Sequence, residues 1–300
     1  MKINVLQNTS IGHEDLVCVK KMNHIYELCY VEHRNTSLSI QLLDKDNYIV
    51  LSSGEIKKCN HIENRSENKA QVSQSLKRLR DYINTNVVDV NNCKWITLTY
   101  AENMTDTKRL YLDFKNFVKR FKYYYGDFEY IVACEPQGRG AWHCHCIFIF
   151  NNKAPFIPNK KVEEIWGLGF TNTKKLDNID NIGAYITAYL GDLDLDSCKA
   201  NNIDFDESDI KFVTEIGNTK LKKPKKFVKG GRLNMYPPNF NIYRISRGIK
   251  KPEKMYYSYH VIKEKAGLRL PTYSKAIKLT DNEKNFSNTI IYEYYNTKRN

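Results

Sequence analysis

Residues 142–150, "WHCHCIFIF", constrain the fold more than any other stretch of the chain. Trp142, Cys144, Cys146, Phe148 and Phe150 alternate with His143, His145, Ile147 and Ile149. A β-strand turns successive side chains to opposite faces. The pattern therefore predicts a strand whose first set is apolar throughout and faces a core, with both histidines on the other face. Cys144 and Cys146 then cannot reach an ion held by the histidines. Two neutral imidazoles at i and i+2 can share one cation. Such pairs also sit on ordinary half-buried strands, so the reading depends on what lies nearby. Glu135 ends the preceding "YIVACE", just before the turn "PQGRGA", and a hairpin would bring its carboxylate beside the pair. Two imidazoles and one carboxylate leave coordination positions open for water or substrate, as a catalytic site requires.

The flanking segments give the fold class. "KWITLTY" predicts a strand. "TDTKRLYLDFKNFVKRFKYYY" opens on capping residues and repeats Leu110, Phe114, Phe117, Val118 and Phe121 at helical spacing. "FEYIVACE" and "AWHCHCIFIF" are strands, "NKKVEEIWGLG" a short helix, "GFTNTKKL" a strand and "NIDNIGAYITAYLGD" a helix. Strand, helix, strand, strand, helix, strand is the ferredoxin-like, split βαβ plan, an α+β fold with an antiparallel sheet and helices on one face. The last helix is then free to cross the open face, near the histidines. It carries Tyr185 and Tyr189, one turn apart on one helical face. Aromatics at this spacing commonly pack in a core. The alternative is chemistry: one or both phenols attack a phosphodiester. Only about one phenol in a thousand is ionised at neutral pH, and an adjacent cation supplies the missing stabilisation.

Three regions are expected along the chain. Residues 1–65 form a β-rich extension containing "HIYELCYVEHR" and a hairpin turning at "DKDN". Residues 66–200 form the central domain, opened by a basic amphipathic helix, "AQVSQSLKRLRDYINTN". Residues 201–300 form a basic, aromatic extension. The net charge of +13 points to an anionic partner, nucleic acid or a membrane surface. No apolar run is long enough to span a bilayer and the first residues lack a signal-peptide core, so a cytoplasmic protein without membrane association is expected. Its eight cysteines are expected to be reduced and mostly buried. Lys225, Lys226, Arg232, Arg244 and Arg247 interleave with Tyr and Phe, as on a surface that neutralises phosphates and stacks unpaired bases. A solvated, loop-rich extension is the other reading of this region.

"KWITLTY", "CEPQGRGAWHCHCIFIF" and "GAYITAYLGD", in that order, resemble the three motifs of HUH-type (histidine, hydrophobe, histidine) rolling-circle replication initiators. Those Rep proteins serve small plasmids and single-stranded DNA phages. The resemblance runs over residues 72–192, and "KGGRLNMYPPNFNIYRISRGIKKP" is similar to the tail of Rep proteins from Gram-positive bacteria. It implies a bacterial HUH endonuclease in which His143, His145 and Glu135 bind Mg²⁺ or Mn²⁺. Tyr185 would attack single-stranded origin DNA, leaving a 5′-phosphotyrosine and a free 3′-hydroxyl primer, with strand transfer later. Tyr189 would be a second nucleophile or a packing residue. No GK[ST] phosphate loop occurs, so a host helicase would act in trans. The sequence departs from the pattern in one respect. Many relatives carry Lys three residues after the nucleophile, where this chain has Ala188 after Tyr185 and Asp192 after Tyr189. That departure keeps open a DNA-binding regulator without the chemistry. A transposase of the same superfamily is a further alternative, whereas relaxases place the tyrosine before the histidines.

Overall fold

The computed structural model describes residues 2–34, 37–63, 65–176, 182–187, 190–200, 202–203, 205–213, 225–283 and 285–299, with backbone alone for 184–186, 211–213 and 225. The chain divides into two compact units, 62–251 and a second built from both ends, 1–61 with 252–300. The boundaries at 65 and 200 expected from the sequence are therefore replaced. The reason is long-range strand pairing that no local pattern reports.

The central unit is α+β. Its sheet has the order Thr171–Lys175, Cys93–Thr99, Trp142–Phe150, Phe128–Pro136, Tyr243–Ile245, every neighbour antiparallel. The histidine strand, Trp142–Phe150, thus lies between the two strands joined by the helix Thr107–Tyr125, which is the split βαβ arrangement. That helix begins where the Asp106 carboxylate accepts hydrogen bonds from the N–H groups of Lys108 and Arg109, and it stops at Gly126, at φ +78°. Its buried stripe, Leu110, Phe114, Phe117 and Phe121, packs with Trp166 on Ile96, Leu98, Cys144, Cys146 and Phe148. Each such large apolar side chain contributes about 1.5–3 kcal/mol on full burial. The face carrying both cysteines is therefore core, as the alternation requires.

Helices also cover the opposite face, which corrects the expectation of helices on one side only. Leu79 and Ile83 of the helix Lys69–Asn86 pack with Ile182 over Ile131, Ala133 and Ile147. The short helix Ile182–Thr187 lies directly on this basic helix. Asn84 Oδ1 accepts the Gly183 N–H at 2.9 Å, and a Cβ at Gly183 would come within 2.6 Å of the Arg80 carbonyl. Only glycine permits that approach.

The segment after residue 225 is not a loop-rich extension. Tyr243–Ile245 adds a fifth strand beside the glutamate strand, Phe128–Pro136. Phe240 stacks on Trp142 at 4.4 Å, and the buried Tyr236 hydroxyl donates to the Cys134 carbonyl at 3.2 Å. These two aromatics belong to the core and are not free to stack on bases. A small sheet of Leu193–Asp194, Lys225–Val228 and Ile210–Val213 completes the unit.

The terminal unit contains a six-stranded antiparallel sheet in the order Lys2–Leu6, Tyr273–Asp281, Phe286–Asn296, Ile25–Val31, Leu16–Met22, Glu253–Ser258. Val17, Val19, Leu28, Ile291 and Tyr295 form its core with Ile262 of the helix Tyr259–Lys265. The hairpin at "DKDN" is present between Ile40–Leu42 and Asn47–Val50, where the Asp44 carboxylate accepts the N–H groups of Asp46 and Asn47. Among the described residues no helix is long and apolar enough to cross a membrane.

Candidate metal centre

Antiparallel register places Glu135 directly across from His143, with Ala133 across from His145. On the other side Thr99 and Thr97 face the two histidines. Both imidazoles converge on a single carboxylate oxygen: His143 Nε2 lies 3.0 Å and His145 Nε2 3.2 Å from Glu135 Oε2. The ring planes are inclined at 70°, with centroids 4.5 Å apart. Ligands at about 2.1 Å in octahedral geometry are separated by roughly 3 Å along each edge, so these three atoms already have the spacing of three ligands around one ion. Imidazole with carboxylate suits Mn²⁺, and Mg²⁺ accepts the carboxylate while keeping waters. The residues therefore fit the divalent ion that the sequence suggests.

Electrostatics favours the ligating protonation states. Burial raises the pKa of Glu135, but hydrogen bonds from His143 and His145 and the charge of Arg232 outweigh it, holding the carboxyl well below the usual range. Burial, opposed by the hydrogen bond to Glu135, lowers His143 and leaves it neutral at physiological pH. A neutral imidazole ligating through Nε2 carries its proton on Nδ1. Thr97 Oγ1, 3.4 Å from His145 Nδ1, is placed to receive it. Cys144 and Cys146 point away from the ligands and are fully buried. The Cys144 thiol is raised by its hydrogen bond to Cys134 and by burial, and Cys146 by burial. All eight cysteines are free thiols, five of them buried.

The remaining site residues divide sharply. Tyr185 lies in the helix Ile182–Thr187, where only its backbone is described, and Tyr189 falls outside the described residues. The segment carrying them is held at both ends, at Gly183 by Asn84 and at Gly191, whose N–H points to Glu135 Oε1 at 3.4 Å. Lys226, Arg244 and Arg247 are exposed, with the Arg244 guanidinium 3.5 Å above the Tyr111 ring. Lys225 occupies the Lys225–Val228 strand, its side chain outside the description.

Arg232 departs from the phosphate-surface reading. It is largely buried and forms an ion pair with Glu135 Oε1. A buried carboxylate demands a counter-charge, but nothing in the sequence says which basic residue supplies it. The nearest local signal is "KGGR", since two glycines permit the tight turn that delivers the arginine. A cleft of about 510 Å³ adjoins this region, bordered by Lys69, Lys77, Arg80, Lys229, Thr187 and Gly191.

Residues 93–194 match a family model for replication-associated proteins of the ORF2 type. No curated protein and no solved structure matches the chain. The matched span contains all three converging side chains and both tyrosines. The centre thus lies in a segment similar to replication-associated proteins, which is consistent with a part in replication initiation.

Proposed function

We propose that the protein is a replication-initiator endonuclease that nicks single-stranded origin DNA by tyrosine attack. The observation that carries this reading is the convergence of His143, His145 and Glu135 within 3.2 Å of one point, inside the replication-associated span. A bound Mg²⁺ or Mn²⁺ would withdraw charge from the scissile phosphate. His143 and His145 supply neutral nitrogen ligands and Glu135 the anionic one. Tyr185, on the segment anchored at Gly183 and Gly191, is the attacking phenol. Its oxygen forms a bond to phosphorus as the bond to the 3′ oxygen breaks, and its proton finishes on that 3′ oxygen. The products are a 5′-phosphotyrosine and a 3′-hydroxyl primer. The ester retains the phosphodiester energy, so a later 3′-hydroxyl can displace the tyrosine and close a circle, with Tyr189 available for a second transfer. Exposed Lys226, Arg244 and Arg247 and the basic cleft supply sequence-independent phosphate contacts. A helicase in trans would open the duplex.

The full chain incubated with Mn²⁺ and a randomised, end-labelled single-stranded oligonucleotide library should yield an adduct that survives denaturation and is lost with chelator. Ala188 and Asp192, where a lysine is usual in the resembling initiators, favour a second reading, a DNA-binding regulator without the chemistry. Metal-independent DNA binding with no adduct would select it.

A further inference from the structure

Glu135 divides its two oxygens between different partners. Oε2 faces the two imidazoles, while Oε1 takes the Arg232 guanidinium and the Gly191 N–H. The side chains of Glu135 and Arg232 are only 6% and 15% exposed. Arg232 arrives on a turn with little freedom. Gly230 has φ +71°, and a Cβ on Gly231 would lie 3.0 Å from Cys198 Sγ and 3.1 Å from Leu193 Cβ. The same turn grips the segment that follows the tyrosines: the Arg232 N–H donates to the Gly191 carbonyl at 3.0 Å, and the Gly230 N–H to Asp192 Oδ1 at 2.9 Å. Arg232 Nε is buried and has no hydrogen-bond partner among the described residues. A buried donor left unpaired calls for a reason beyond packing.

We propose that Arg232 is a positioning residue of the metal centre. It occupies Oε1, restricts Glu135 to one ligating oxygen, and opposes the ion so that the loaded centre is more positive toward an anionic phosphodiester. Metal affinity is lowered and phosphate affinity raised by one and the same charge. The main chain of the turn meanwhile holds Gly191, and with it the end of the tyrosine segment. The inference rests on the metal-centre reading above, but it concerns ion and anion binding and not the nick itself.

The test measures Mn²⁺ binding to the full chain by calorimetry and by loss of the free-ion EPR signal. Arg232→Met removes the charge and leaves the turn's backbone bonds in place. It should bind Mn²⁺ roughly ten-fold more tightly or better, because a like charge across one carboxylate is gone. It should also lose the Mn²⁺-dependent part of its affinity for single-stranded DNA. Arg232→Lys keeps the charge and should stay near the parent in both measurements. If Arg232→Met melts too early to assay, Arg232→Gln, which keeps a donor to Oε1, should show the same tightening. Unchanged or weaker Mn²⁺ binding in a folded, uncharged variant overturns the proposal, as does a parent chain that binds no Mn²⁺. Tightening in a protein that forms no DNA adduct would uphold this inference while removing the nuclease reading. An adduct-forming parent whose uncharged variants bind Mn²⁺ unchanged would do the reverse.

Discussion

The protein holds two clusters of two histidines and a glutamate, one in each unit, and they differ in every respect that decides whether an ion can be bound. In the terminal unit His13 and His260 stack face to face, centroids 4.2 Å apart and planes within 2° of parallel, with Glu14 2.8 Å from His13. An imidazole donates its lone pair in the ring plane, and parallel planes never meet. No ion can therefore lie on both lone pairs. Glu14 and His13 are about three-quarters exposed and solvated by water. In the central unit the planes are inclined at 70°, both Nε2 atoms address one oxygen, and the carboxylate is buried. Residue types alone do not distinguish the clusters. Orientation does, and it comes from a strand register that places i, i+2 and a cross-strand partner on one face.

Paired substitutions test that contrast most directly. His143→Ala or His145→Ala should abolish specific Mn²⁺ binding and the DNA adduct, an effect of at least about a hundred-fold when a direct ligand is removed. His13→Ala and His260→Ala should leave both unchanged. Equal losses from the two clusters, read by calorimetry and denaturing gels, would defeat the geometric argument.

Only the central cluster has a tyrosine segment anchored beside it. Tyr185→Phe keeps the ring and removes the hydroxyl, so the covalent adduct should disappear while Mn²⁺ affinity stays at the parent level. Tyr189→Phe should retain the first nick and impair at most the circle-closing transfer. Mass spectrometry of the linked peptide, fragmented between Lys175 and Lys199, identifies the modified residue. An adduct confined to Tyr189 would exchange the two roles.

Behind the histidines, Cys144 and Cys146 pack in a dry core, and Cys134 Sγ lies 3.8 Å from Cys144 Sγ. Cys146→Ser buries a hydroxyl among apolar groups and should cost about 1–3 kcal/mol in denaturant melts, with Mn²⁺ affinity unaffected. A stable Cys146→Ser variant that had lost the ion would mean the strand faces are misassigned.

The smallest expected effect concerns exposed charge. Replacing Lys226, Arg244 or Arg247 should each flatten the salt dependence of single-strand binding by about 0.7 in log–log slope if it contacts a phosphate. Arg232, tied to Glu135, should act instead through the metal-dependent component. A uniform loss across all four would place Arg232 back on the open surface.

Alternation in "WHCHCIFIF" by itself determined which side chains of that strand are core and which share a face. The hairpin spacing put Glu135 next to the histidines, and helical periodicity identified the Phe114–Phe117–Phe121 stripe. These are local properties, because side-chain direction follows from backbone geometry over a few residues. Tertiary structure decided the rest. It covered the second sheet face with the Lys69–Asn86 helix, and it drew Tyr236 and Phe240 out of a presumed DNA surface into the core. It joined Lys2–Leu6 to Tyr273–Asp281 in one sheet and selected Arg232 from many basic residues to neutralise Glu135. Strand partners distant in the chain and the counter-ion of a buried carboxylate are chosen by the packing of the whole unit. Charge and hydropathy name the candidates, but only the folded backbone brings one of them within reach.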